Sequence, residues 1–418
     1  GNEIVLEEVY RFKTGMDQSN DGLIWNIPRL FEEIKNGLKE AIAKYGKIES
    51  LSIDTWGVDY VLMNGDKEIP PFFAYRNERN EKAAKELHKI VSFEELYEHT
   101  GIQYASFNTI YQLFDDLKKG RLDDATDYLM LPSYFSYKLT GVKNHEYTEE
   151  STGALLNPFS RDYDKALLSK VGLPSKLFNK ISEAGTVLGP LKPEIAKEVG
   201  GQTKVILCAS HDTGSAFEAI DVPDDGIILS SGTWSLFGIK SKNPICNEKS
   251  LKANFTNEGG VGYVRFLKNI MGMWIVNQVS EQEKLNFIDL IKKLDKVTYS
   301  ETFDVNDASL AAPKNMKKAV IELLKKNPPK DDLELLASIY HSMAKAYKNT
   351  CDELEYVTGK RYKFIYIVGG GAKNKYLNDL VEKYTNKKVV ALPIEATSLG
   401  NIKIQMNAKV CKSEEIER

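Results

Sequence analysis

At 418 residues the chain is too long for one ordinary hydrophobic core, so two or three domains are expected. Its 42% hydrophobic and 28% charged residues are those of a soluble globular protein, and a formal net charge of -3 without a basic stripe excludes a duplex-binding protein, whose affinity rests on clustered Lys and Arg. The cysteines (Cys208, Cys246, Cys351 and Cys411) are scattered with no CxxC spacing, no signal-peptide pattern opens the chain, and no apolar run approaches the ~20 residues of a membrane span, so a cytoplasmic protein without zinc or disulfide framework is expected.

Residues 3–12 alternate Ile4, Leu6, Val9 and Tyr10 with charges, which predicts a strand. Leu30, Phe31, Ile34, Leu38, Ile42 and Tyr45 then recur at helical spacing, with Asn26 and Pro28 marking the start and Gly46 the stop. Residues 50–54 and 58–63 predict two short strands, and residues 80–180 read as mostly helical material inserted into, or capping, the first α/β unit. Strands return at 205–209 and 226–231. Residues 332–358 predict a long amphipathic helix stopped by Gly359, and residues 364–368 a buried strand running into Gly369-Gly370-Gly371. Strands alternating with helices mean an α/β fold. The turn-forming run at 221–226 sets a boundary near Val222-Pro223, giving domains 1–221 and 222–418.

Four clusters can carry chemistry. Ala209-Ser210-His211-Asp212-Thr213-Gly214 follows an apolar strand, where polar groups project into the crevice at the carboxyl ends of parallel strands. A carboxylate there can take a hydroxyl proton, although Asp212 read locally is also a good helix N-cap. Ser230-Ser231-Gly232-Thr233-Trp234 is a small-residue turn between strands, suited to surrounding a phosphate or simply to making a hairpin. Gly369-Gly370-Gly371 between a strand and a helix start lets a ligand approach the backbone. Neither Gly-x-Gly-x-x-Gly nor GxxxxGK[ST] occurs, which disfavours a dinucleotide dehydrogenase and a P-loop NTPase. Asp54-Thr55-Trp56-Gly57 combines an acid, an indole and a glycine, a common sugar contact, with Trp56 as a core filler the competing reading.

These clusters stand in one order with Phe107-Asn108-Thr109-Ile110-Tyr111-Gln112, Glu146-Tyr147-Thr148, Asn254-Phe255-Thr256-Asn257-Glu258-Gly259, Leu267-Lys268-Asn269-Ile270-Met271-Gly272 and Glu395-Ala396-Thr397-Ser398-Leu399-Gly400-Asn401. The set resembles the carbohydrate-kinase (FGGY) family over nearly the whole chain. The resemblance implies two actin-like, ribonuclease-H-like ATPase domains flanking a catalytic cleft, the N-terminal one for sugar and the C-terminal one for nucleotide. It implies Asp212 as base, with Gly57, His211, Asp212, Thr213 and Asn269 at the sugar. It also implies Thr233, Asn277 and Gly370 at the nucleotide, although relatives usually carry Gln where this chain has Asn277. The implied reaction is ATP-dependent phosphorylation of L-rhamnulose at its 1-hydroxyl, with Mg2+ bridging the phosphates; another ketose or deoxy sugar, such as L-fuculose or xylulose, is the runner-up. A catalytically silent sugar-binding protein and an actin-like chaperone are the readings from other classes.

The chain departs from the family pattern at its ends. The family's Asp-x-Gly-x-x-Ser/Thr phosphate hairpin precedes the segment matching residues 3–12, and relatives continue past the region of Gln405, so further residues are expected outside this sequence. Tyr75-Arg76-Asn77-Glu78-Arg79 reads as a solvated charged loop without a catalytic role. His88, His99, His145 and His341 lack ligand spacing and are expected in surface or core roles, leaving the metal ligands unknown.

Overall fold

The computed structural model describes residues 4–311, 313–392 and 394–416. The chain divides into two compact units, one of Gly1–Ala219, Lys240–Phe266 and Thr397–Arg418, the other of Ile220–Ile239 and Leu267–Ala396.

The first unit is built around a helix at Ile27–Tyr45. Asn26 caps it by accepting the Arg29 N–H at 3.2 Å, a proline stands in its first turn, and Gly46 at φ 74° ends it. Its apolar stripe buries in two places, Leu38 and Ile42 with Leu139, Leu191, Ile195 and Val205, and Leu30 with Leu129, Leu131 and Phe135. Beside it, Lys204–Ile206 pairs antiparallel with Val187–Pro190 and parallel with Ser50–Leu51. A second small sheet sets Tyr60–Asn64 between Lys67–Ile69 and Asp127–Met130, all antiparallel.

Three readings of the sequence change here. Residues 4–12 form no strand, because no described strand lies beside them to complete a ladder and a lone strand leaves its backbone groups unpaired. Glu3 lies outside the described residues. Asp127–Met130 is a strand within the stretch read as helical; four fully buried residues show no period by which to recognise one. Residues 75–79 are a solvated loop only in part: Glu78 is exposed, whereas the Arg79 side chain is buried, pairs with Asp115 and Asp116 at 3.0 and 2.6 Å, and lies 3.8 Å above the Phe73 ring.

In the second unit, Gly226–Ser231 pairs antiparallel with Trp234–Ser241 and parallel with Phe364–Val368, which pairs in turn with Lys388–Ala391. The helix Asp332–Thr358 is capped by Asp331 and closed by Gly359 in the left-handed conformation at φ 68°, where a side chain would be strained. It buries Leu335, Leu336, Ile339, Met343, Tyr347 and Leu354. Among the described residues no helix is long and apolar enough to cross a membrane, and Cys208, Cys246 and Cys351 are unpaired thiols. The Cys411 side chain lies outside the described residues.

Candidate active site

In the first unit, two parallel chain segments run side by side past the ends of their strands. Ser52 Oγ bonds to the Ile206 carbonyl, the Thr55 N–H donates to Ser210 O at 2.9 Å, and the Asp212 N–H donates to Thr55 O at 2.9 Å. Residues 54–57 and 209–213, 150 or more positions apart in sequence, are therefore neighbours at the carboxyl ends of adjacent parallel strands, the usual place for a ligand in an α/β sheet.

Asp212 is the first residue of the helix Asp212–Glu218, whose cap is His211. It is thus no N-cap, and its carboxylate is left for other work: Thr213 Oγ1 donates to Oδ1 at 3.2 Å, and the side chain remains 46% exposed. Surrounding protein raises its pKa above the ordinary carboxylate value, opposed by the Thr213 bonds and the Arg265 charge. Asp54 lies close enough to feel that charge. Burial first, and Asp212 in addition, lift Asp54 to about 7 against a hydrogen bond from Asn401.

Gly57 is needed for packing. A Cβ there would meet Thr152 Oγ1 at 2.9 Å and its Cγ2 at 3.0 Å. Val58 follows at φ 69°, a strained conformation for a β-branched residue. Its N–H donates to Thr152 Oγ1 at 3.1 Å, while its carbonyl accepts Thr109 Oγ1 at 2.9 Å and Gln112 Nε2 at 3.2 Å. Trp56 sides with its packing role: its indole N–H donates to Asp59 at 2.9 Å and its ring stands 4.4 Å from that of Trp25.

Reading by motif missed the acids below this surface. Glu146 accepts Thr148 Oγ1, Glu149 N and Ser210 N at 2.6, 3.1 and 3.0 Å; burial nevertheless raises it to about 7. Glu149 is wholly buried, and no described group donates to either of its carboxyl oxygens. Burial, then the charges of Asp212 and Glu146, push its pKa well up, so it favours the neutral acid. The run Glu149-Glu150 amid Tyr147, Ala154 and Leu155 was the available signal, because adjacent acids in an apolar context need partners or protons. Arg265 and Glu258, which flank His211, carried no local signal.

The second unit gathers Thr233, Asn277 and Gly370 around one turn. Gly232 and Thr233 form the hairpin tip, and their carbonyls accept the N–H groups of Met273 and Trp274 at 2.9 and 3.1 Å, seating the start of the helix Trp274–Glu283 that carries Asn277. Gly369 (φ 83°) and Gly371 press on Ser231, where a Cβ on Gly371 would stand 1.9 Å from its Oγ; a Cβ on Gly370 would meet nothing within 4 Å. The middle glycine thus presents bare backbone to open space. Asn269 belongs to the same unit, on the strand Val264–Met271. No cluster of three or more His, Cys, Asp or Glu able to hold a metal occurs among the described residues.

Residues 3–217 match the FGGY family of carbohydrate kinases, N-terminal domain, and residues 227–408 the C-terminal domain of the same family. The chain belongs to the FGGY family of carbohydrate kinases. Among curated relatives of this FGGY chain, the rhamnulokinase of Halalkalibacterium halodurans is 39% identical over 97% of the chain and 89% of the relative. The rhamnulokinase of Bacillus subtilis is 36% identical over 96% and 85%. The fold is that of the solved FGGY kinases. The ligand-bound xylulose kinase from Lactobacillus acidophilus superposes with TM-score 0.81 at 16% identity, covering 95% of this chain and 84% of that one. Plasmodium falciparum glycerol kinase with ADP superposes with TM-score 0.74 at 13% identity, covering 95% and 84%. Both units are accordingly actin-like domains of the ribonuclease-H type, as the sequence pattern implied.

Proposed function

We propose that this FGGY kinase transfers the γ-phosphoryl group of ATP to the 1-hydroxyl of L-rhamnulose, giving ADP and L-rhamnulose 1-phosphate. One observation carries the choice of sugar: the curated relatives named rhamnulokinase share 36% and 39% of residues over nearly the whole chain, whereas likeness to the xylulose and glycerol kinases is of fold alone.

Phosphoryl transfer asks the protein chiefly for positioning and charge neutralisation. In the reading favoured here, Asp212 accepts the hydroxyl proton as the sugar oxygen bonds to phosphorus, while Gly57, His211, Thr213 and Asn269 hold the ketose. Thr233, Asn277 and Gly370 hold the nucleotide, and the backbone opened at Gly370 supports that role. Residues 1–221 chiefly serve the sugar, with Asn269 added from 222–418, a stretch that otherwise serves the nucleotide. Mg2+ is the proposed divalent ion accompanying the phosphates, with no protein ligand assigned to it, and the cytoplasm is the proposed compartment.

An ADP-release assay across L-rhamnulose, L-fuculose, xylulose and glycerol tests the proposal on the full-length protein. Highest kcat/KM with L-rhamnulose is expected. A higher value with another sugar reassigns the substrate, and binding without turnover on any of them points to a silent sugar-binding protein.

A further inference from the structure

The proposed sugar site leaves one question of chemistry open, namely which ring nitrogen of His211 carries a proton. Arg265, a fully buried residue on the strand Val264–Met271, answers it. Its Nε donates to the Gly259 carbonyl at 2.6 Å, its Nη1 pairs with Glu258 Oε2 at 3.2 Å, and its Nη2 lies 3.1 Å from His211 Nδ1. A guanidinium is always charged and has only donors. Its contact with an imidazole nitrogen is a hydrogen bond only where that nitrogen offers a lone pair, so Nδ1 accepts and the ring proton sits on Nε2.

Each charged group facing the ring bears on this. Glu258 Oε2, on the strand Thr256–Gly259, lies 3.5 Å from Nδ1 and would favour a proton there. That oxygen is ion-paired with Arg265 Nη1 without hydrogen-bonding to it, and its 3.5 Å separation from Nδ1 is at the limit of a hydrogen bond while 3.1 Å is within it. Asp212 Oδ1 stands 3.6 Å from Nε2, beyond direct bonding, and the His211 backbone N–H goes to the uncharged Thr148 Oγ1 at 3.3 Å. Burial first, and then the Arg265 charge, hold the imidazole pKa well below its ordinary value, in agreement with the geometry.

We infer that Arg265 is a positioning residue that fixes His211 as its neutral Nε2–H tautomer and so presents a hydrogen-bond donor beside the Asp212 carboxylate. The inference deepens the proposed kinase reading and rests on it for the ligand, an oxygen of the ketose next to the hydroxyl that Asp212 deprotonates. A neutral donor suits that place. An imidazolium would bind the oxygen too, but its charge would depress the basicity of the neighbouring carboxylate.

The chain has five histidines, few enough for histidine-selective 15N labelling of the whole protein, with His211→Gln assigning its signals. Long-range 1H–15N spectra are expected to show an unprotonated Nδ1 and a protonated Nε2 on His211 from pH 6 to 9. A proton on Nδ1, or an imidazolium at pH 6, overturns the inference whatever the enzyme does. In Arg265→Gln the ring should titrate closer to the ordinary ~6.5, with KM for the ketose raised about tenfold and Arg265→Lys recovering part of the loss. An unchanged tautomer and KM in a folded Arg265→Gln protein also overturn it. Should that variant not fold, the wild-type spectrum decides alone. Full turnover in Asp212→Asn would instead remove the functional reading while leaving the tautomer result standing.

Discussion

A Cβ added to Gly57 would lie 2.9 Å from the hydroxyl oxygen of Thr152, closer than a carbon and an oxygen can pack. The same hydroxyl donates to the Glu149 carbonyl at 2.8 Å and accepts the N–H of the strained Val58. The two positions therefore answer to one another. Gly57→Ala should cost about 1–3 kcal/mol of stability through overpacking. Thr152→Ala should recover part of that loss in the double variant, as a double-mutant cycle by urea unfolding measures. Strict additivity would mean that the two side chains do not compete for the space.

Asp212 is set at the start of its helix without acting as the cap. Its loss should therefore be felt in rate and scarcely in fold. Asp212→Asn is expected to keep the circular dichroism spectrum and melting temperature, and to bind the ketose within a few-fold. Its turnover should fall ~100- to 10,000-fold, the usual contribution of a general base. Normal kcat in the folded variant would move the base elsewhere.

His145 gives the first unit a pH dependence of its own. Burial opposes its charge, but Glu150 at 3.0 Å and Asp127 at 3.1 Å outweigh burial and raise the imidazole to about 9. A raised folded-state pKa means stability that is complete below the unfolded value near 6.5 and lost as pH climbs through about 9. At 1.36 kcal/mol per unit this amounts to roughly 3 kcal/mol. Urea unfolding at intervals from pH 6 to 10 should show that decline, and His145→Gln should flatten it while lowering stability at pH 6. A wild-type profile flat across this range would show that the ring is not held as a cation.

The glycine triplet separates packing from binding. Gly371→Ala would drive a Cβ to 1.9 Å from Ser231 Oγ and should destabilise the second unit by about 1–3 kcal/mol or more. Gly370→Ala has room for its methyl, so its melting temperature should match the wild type while KM for ATP rises. If Gly370→Ala left KM for ATP unchanged, the nucleotide would have to be held elsewhere.

Much of the framework is written in local patterns. The stripe Leu30, Leu38 and Ile42 with its Asn26 cap and Gly46 stop, the strands Gly226–Ser231 and Phe364–Val368, and the helix closed by Gly359 all stand where periodicity and capping put them. Such features depend on residues within a turn or a strand of each other, and the sequence lays those neighbours side by side. The order of polar clusters likewise marked strand ends as the place for chemistry, and with it the kinase family.

Contacts across the chain settled the rest. Residues 4–12 alternate like a strand but find none to pair with among the described residues, and Trp56 is drawn to Asp59 and Trp25. Asp212 alone reads as a helix cap; the fold makes His211 the cap and leaves the carboxylate available. The donor that sets the His211 tautomer arrives from Arg265, 54 positions away, and the apolar neighbours of Glu149 hint at burial without showing that its carboxyl oxygens are left with no donor. Protonation and hydrogen-bond direction depend on which groups converge in space and how much water they exclude, and only the tertiary structure decides that.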